Sequence, residues 1–235
     1  MRTIIWFVYF WLHLLYISGS MLRAASLSKS GKSKELYSLL SKITFQWARN
    51  LLWVAGVKIE ASGLENIPDE PVVFVSNHQG DFDIPILFFV LKKPIGFVAK
   101  IEILKMPLIR TWMKLLKCIF IDRNDVRQTL NALGSASEIL KDGRSLLIFP
   151  EGTRSKSSEI NEFKAGAFKV ALSSSAPIVP ILIDGSYKIM ESQGFWIKPG
   201  VVSVKVLPQI ITKDMSRERA KGLGDEIKEL LLASR

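Results

Sequence analysis

His78 is one of only two histidines in the 235-residue chain. It ends an apolar run inside VSNHQGDFDIP (residues 75–85), and Asp83 follows five positions later. On a regular helix, positions five apart stand about 140° from each other, so the two side chains would not meet. This stretch contains Gly80 and leads into an apolar helix, so an irregular turn can bring them together. The Asp83 carboxylate can then accept a hydrogen bond from one ring nitrogen. That fixes the tautomer, leaves the other nitrogen as a base and stabilises the imidazolium formed when the base takes a proton. A plainer role suits the same residues: Asp83 as a helix N-cap and His78 closing a turn.

Two further stretches hold cations where apolar runs end. Glu151, Gly152, Thr153 and Arg154 follow SLLIFP. The carboxyl end of a buried strand is where α/β sheets place ligands. Gly152 lets the backbone approach a ligand closely, Arg154 offers a planar fork that fits phosphate, and Thr153 adds a hydroxyl. A surface turn with an ion pair is the plainer alternative. IFIDRN (119–124) places Arg123 as a second phosphate ligand, and Lys100, at the end of GFVAK, adds a third cation. Together these residues combine one proton acceptor with a cationic cradle.

The elements that must position them form an α/β pattern from residue 57 onward. VKIEA, PVVFVSN, IGFVA, CIFID, SLLIFP, IVPILI and VVSVKVL read as strands. IPILFFVL, DVRQTLNALGSASEILKDG, AGAFKVALSSS and the C-terminal segment read as helices, with Asp125 an N-cap and Gly143 a stop. The expected fold is a mixed, largely parallel sheet flanked by helices, forming an α/β domain over 57–235. Residues 1–56 read as an N-terminal membrane-anchoring helix pair. Residues 3–22 contain no Lys, Arg, Asp or Glu and are about long enough for one bilayer crossing. They suit a signal peptide, a span, or half of a helical pair lying in one leaflet. After a basic linker (23–34), Leu36, Leu40, Ile43, Trp47, Leu51 and Val54 recur at helical spacing, which favours the pair over an ordinary core helix.

The balance of 32 Lys+Arg against 22 Asp+Glu, net +10, goes with a positive mean hydropathy. That combination favours a membrane surface over nucleic acid. Aromatic residues crowd the first 53 positions rather than interleaving with arginine as a base-stacking platform would. The single cysteine, Cys118, reads as a buried, inert thiol. Two histidines and one cysteine supply no zinc cluster, and no metal or cofactor is expected. SGKSK (30–34) has the tail of a phosphate loop but lacks its first glycine.

Four ordered blocks carry a resemblance: His78 with Asp83; Phe120-Ile121-Asp122-Arg123; Phe149-Pro150-Glu151-Gly152-Thr153-Arg154; and Val179-Pro180-Ile181. They resemble those of the glycerophospholipid acyltransferases, and the bacterial 1-acyl-sn-glycerol-3-phosphate acyltransferases among them. GLENIP (63–68) is similar to that family's lead-in to the first strand. The resemblance implies that His78 is a general base oriented by Asp83, and that Arg123 and the 151–154 block bind the glycerol phosphate. It also implies that the region around Pro180 shapes the pocket. Glu151 is expected to receive a hydroxyl or an arginine rather than the phosphate. Lys117 stands where the family often has glycine, which leaves open whether it adds a charge near the substrate.

The reaction so implied passes an acyl chain directly from acyl-CoA or acyl-carrier protein to the free hydroxyl of lysophosphatidic acid. The acyl chain would follow Ile86–Leu91 or Leu108–Leu116. Another lysolipid acceptor, such as lyso-ornithine lipid, and a non-catalytic protein gripping anionic lipid are the alternatives. A cytosolic thioester donor argues against export, so the expected location is the cytoplasmic face of the inner membrane.

Overall fold

The computed structural model describes residues 1–122 and 125–235. The chain opens with α1 (Arg2–Lys29) and α2 (Ser33–Ala55). Then follow β1 (Val57–Ser62), β2 (Val73–Ser76), α3 (Asp83–Leu91), β3 (Gly96–Lys100), α4 (Pro107–Leu115) and β4 (Ile119–Ile121). Next come α5 (Val126–Gly134), α6 (Ala136–Lys141), β5 (Leu146–Ile148), α7 (Lys169–Ser174), β6 (Ile178–Asp184), β7 (Gly200–Val206) and α8 (Arg217–Ala233). The strands form one sheet in the order β1-β7-β6-β2-β5-β3-β4, parallel throughout except for the β6–β7 pair.

Every residue of β2 and β5 is buried, as a strand covered on both faces requires. Alternation along each strand divides the side chains between two cores. Phe74, Leu147, Val179 and Ile181 join the core under α1–α4. Val73, Leu146, Ile148 and Ile178 join the core under α6, α7 and α8. The first core runs across residue 56 without a break, since Leu40, Leu51 and Ala55 of α2 belong to it.

Three helices differ from the pattern read in the sequence, α4 being one that the pattern does not mark. α1 continues through most of the expected basic linker, because Ala24, Ala25 and Leu27 favour helix and Ala24 is buried against the core. The helix expected over 125–143 breaks into α5 and α6 at Gly134–Ser135, where the Ser135 hydroxyl donates to the Ala132 carbonyl at 2.7 Å. Its ends match the sequence: Asp125 accepts from the Gln128 N–H at 2.9 Å, and Gly143 has φ 81°.

α1 and α2 form an antiparallel hairpin. Arg2 donates to the Ala55 carbonyl at the C-terminal end of α2, and the Trp6 indole N–H donates to Leu51 O at 3.0 Å. Among the described residues α1 is the one helix long and apolar enough to cross a membrane. It buries only Trp6, Leu14 and Ala24, while Ile4, Ile5, Val8, Leu12 and Leu15 face outward. An apolar surface of that kind needs a partner other than water.

Candidate active site

Between β2 and α3 the backbone belongs to neither ladder, so its buried amides need other acceptors. Three carboxylates supply them for four consecutive residues. The His78 N–H donates to Glu151 Oε1 at 2.6 Å, those of Gln79 and Gly80 to Asp83 Oδ2 at 2.7 and 3.0 Å, and that of Asp81 to Glu191 Oε1 at 2.7 Å. This winding brings His78 and Asp83 together despite their spacing: Nδ1 lies 2.7 Å from Oδ2. The ionised carboxylate only accepts, so Nδ1 carries the proton and Nε2 is left as the base. Asp83 is fully buried, and its Oδ1 takes the Ser186 hydroxyl. The Phe149 ring stacks on the imidazole at 3.9 Å between centroids, which fixes the ring plane. The His78 side chain is 18% exposed, and Nε2 has no hydrogen-bond partner among the described residues.

The loop after β5 supports the base from the side. Glu151 is buried, and burial pushes its carboxyl above the ordinary range. Its second oxygen accepts the Asn161 N–H at 3.0 Å. Glu151 therefore receives two backbone amides and not the hydroxyl or arginine expected from sequence; it holds the main chain of His78. Ser155 and Lys156 donate back to the carbonyls of His78 and Gln79. Gly152 adopts φ 68°, a conformation that favours glycine, and a Cβ there would stand 3.0 Å from Lys164 Nζ. Thr153 is exposed. Arg154 points across the turn and pairs with Asp81, with Glu191 3.7 Å away.

Lys100, at the end of β3 and separated from β2 by β5, pairs with Glu102 at 2.6 Å. Arg123 falls outside the described residues. Lys117 is exposed at φ 61°, a backbone conformation glycine adopts without strain.

Sequence reasoning missed the segment following β6. Gln79 is fully buried, and its side-chain Oε1 accepts from the N–H groups of Gly185 and Ser186 at 2.9 and 3.1 Å. Asn77 exchanges two 2.8 Å bonds with the backbone of Ile183, mimicking a ladder pair. The carboxyl ends of β2, β5 and β6, adjacent in the sheet, thus supply His78, Glu151 and Ser186. Only the strand ends were readable beforehand, because these partners are about a hundred residues apart in sequence.

Beside the turn opens an apolar cavity of about 550 Å³ whose lining includes Asp81. Phe88 of α3, Ile109 and Met113 of α4, and Leu116 just after it line the cavity, so both segments proposed for an acyl channel contribute. Unforeseen from sequence, α1 and α2 form its other walls through Phe10, Leu14, Ile43 and Trp47.

A carboxylate-steadied imidazole at the carboxyl ends of a largely parallel sheet, next to a guanidinium and an apolar cavity, is an arrangement able to do base chemistry beside an apolar ligand. The chain belongs to the Acyltransferase family, whose model matches residues 58–184. It is 40% identical over 165 residues to a probable 1-acyl-sn-glycerol-3-phosphate acyltransferase of Mycoplasma pneumoniae, covering 68% of this chain and 59% of that protein. It is 36% identical over 171 residues to the 1-acyl-sn-glycerol-3-phosphate acyltransferase of Pseudomonas aeruginosa, covering 69% and 64%. These matches span under two thirds of each relative's length. The crystal structure of the 1-acyl-sn-glycerophosphate acyltransferase PlsC from Thermotoga maritima is similar with a TM-score of 0.76 and 26% identity, over 100% of this chain and 99% of that one.

Proposed function

We propose that this protein acylates the sn-2 hydroxyl of 1-acyl-sn-glycerol-3-phosphate to form phosphatidic acid, with acyl-CoA or acyl-carrier protein as donor. The observation that carries the reading is the 2.7 Å His78–Asp83 pair with its second nitrogen open, beside an apolar cavity. His78 Nε2 takes the proton of the acceptor hydroxyl as the oxygen attacks the thioester carbonyl. The tetrahedral intermediate collapses and expels the thiolate, which takes the proton back from the imidazolium. Asp83 stabilises the cationic ring in between. Direct transfer is favoured because Cys118, the single thiol, is buried with its pKa pushed up to about 12 by desolvation. It cannot serve as a nucleophile, and an activated thioester held beside its acceptor needs none.

Arg154, Arg123, the Gly152–Thr153 backbone and Lys100 are assigned to the acceptor's phosphate, in descending order of support. The names of the curated relatives support a phosphate-bearing acceptor. The exposed apolar face of α1 supports residence at a membrane, where the lysolipid resides, and a cytosolic donor favours its cytoplasmic face. An acceptor panel of lysophosphatidate, lyso-ornithine lipid and other lysolipids, run with both donors, tests the reading. Lysophosphatidate should be turned over fastest. His78→Ala should lower turnover about 10²- to 10⁴-fold while lysophosphatidate binding persists. A preference for lyso-ornithine lipid would reassign the acceptor, undiminished turnover by His78→Ala would remove the general-base role, and no turnover of any acceptor by the wild type would leave a lipid-binding protein.

A further inference from the structure

We propose that Asp81 is a built-in anion that occupies Arg154 until the acceptor's phosphate displaces it. The inference rests on the reading of Arg154 as a phosphate ligand.

Arg154 faces two carboxylates of opposite character. Glu191 has a side chain only 4% exposed. It is anchored by the Asp81 N–H, and Gly80 presses so closely that a Cβ there would lie 2.6 Å from the Glu191 carboxyl carbon. Glu191 cannot leave. The Asp81 side chain is 60% exposed, and Arg154 is its one hydrogen-bond partner among the described residues. It can swing into solvent without leaving any buried group unpaired. The Arg154 side chain is 36% exposed, so a phosphate can reach it once Asp81 moves.

Charge makes the exchange necessary. One guanidinium already answers two carboxylates, and a phosphate monoester adds close to two further negative charges. Binding all three anions at one cation would press like charges together. The exposed carboxylate is the one whose release costs least. Asp81 thus stands where the ligand's anion belongs, at the edge of the apolar cavity and within the turn that carries the base. It keeps the fork oriented while the site is empty.

The test is a double-mutant cycle of Asp81→Asn and Arg154→Ala, read as the KM for lysophosphatidate at saturating acyl donor. Asparagine keeps the backbone N–H to Glu191 and the side-chain shape. Asp81→Asn alone should lower the acceptor KM about two- to fivefold, the scale of a partly exposed ion pair. Arg154→Ala should raise it, and in that background Asp81→Asn should bring no gain. A gain that survives in Arg154→Ala would mean a general field effect and overturn the exchange. A raised KM in Asp81→Asn would make Asp81 a positioning residue and overturn it as well. An Arg154→Ala protein with unchanged KM would instead remove the phosphate assignment itself.

Discussion

His78 and Arg154 flank the same turn and are held in opposite ways. The imidazole has its Nδ1 closed by a fully buried carboxylate, its face covered by Phe149 and its main-chain N–H held by a buried glutamate. The Arg154 side chain is over one third exposed and its guanidinium is paired with an exposed carboxylate. A base must meet a reacting proton in a fixed geometry, so rigidity serves it. A cation that receives a charged ligand must exchange one anion for another, so rigidity would hinder it. One site therefore contains a preorganised half and an exchangeable half, and substitutions in the two should separate into kcat and KM effects.

The largest effect belongs to the rigid half. Asp83→Ala removes the acceptor of two backbone N–H groups, the partner of the Ser186 hydroxyl and the orienter of the imidazole at once. kcat should fall about a thousandfold or more, as when a triad aspartate is lost. Steady-state turnover beside circular dichroism checks it. A folded variant with a near-normal kcat would break the contrast between the two halves.

Glu151→Gln comes next. Glutamine keeps one carbonyl oxygen for two backbone donors, so either the His78 or the Asn161 N–H is left facing an amide NH₂. An unsatisfied buried donor costs about 1–3 kcal/mol, which predicts a fall in kcat of about ten- to a hundredfold with little change in acceptor KM. A rise confined to KM would place Glu151 in acceptor binding instead of behind the base.

What the sequence disclosed follows the same division. The apolar runs located all seven strands: β2, β5 and most of β6 are buried on both faces and read as continuous apolar runs, while β1 and β7 are partly exposed. The residues that end those strands located His78, Asp83 and the 151–154 loop. The partners that make the base rigid carried no local signal. Gln79 and Asn77 look like ordinary polar turn residues until β6 arrives beside β2. Ser186 and Glu191 are contributed by chain more than a hundred residues downstream. Asp81 reads as solvent-facing, and its bond to Arg154 exists only because two loops zip together through the Ser155 and Lys156 amides. The cavity was half legible. The apolar segments Ile86–Leu91 and Leu108–Leu116 pointed to it, but nothing in the periodicity of α1 and α2 said that their second side would cover it.

The smallest effect concerns stability, and it isolates the buried carboxylate behind Arg154. Burial first, then the nearby charges of Asp81 and Asp83, push the Glu191 carboxyl above the ordinary range, and its Oε2 has no hydrogen-bond partner among the described residues. A raised folded-state pKa means that the folded chain takes up this proton more readily than the unfolded chain. The stability so gained is full below the unfolded value, about 4.3 for glutamate, and is lost as pH rises through the folded value. Glu191→Gln cannot titrate, yet its carbonyl can still accept the Asp81 N–H. The wild type's Tm advantage over Glu191→Gln should therefore be greatest at acid pH and shrink as pH climbs toward neutrality. Thermal unfolding of both proteins across that interval measures it. A gap that widens with pH would mean that the ion pair with Arg154 outweighs the burial of Glu191, and that the guanidinium is held far more firmly than an exchangeable cation should be.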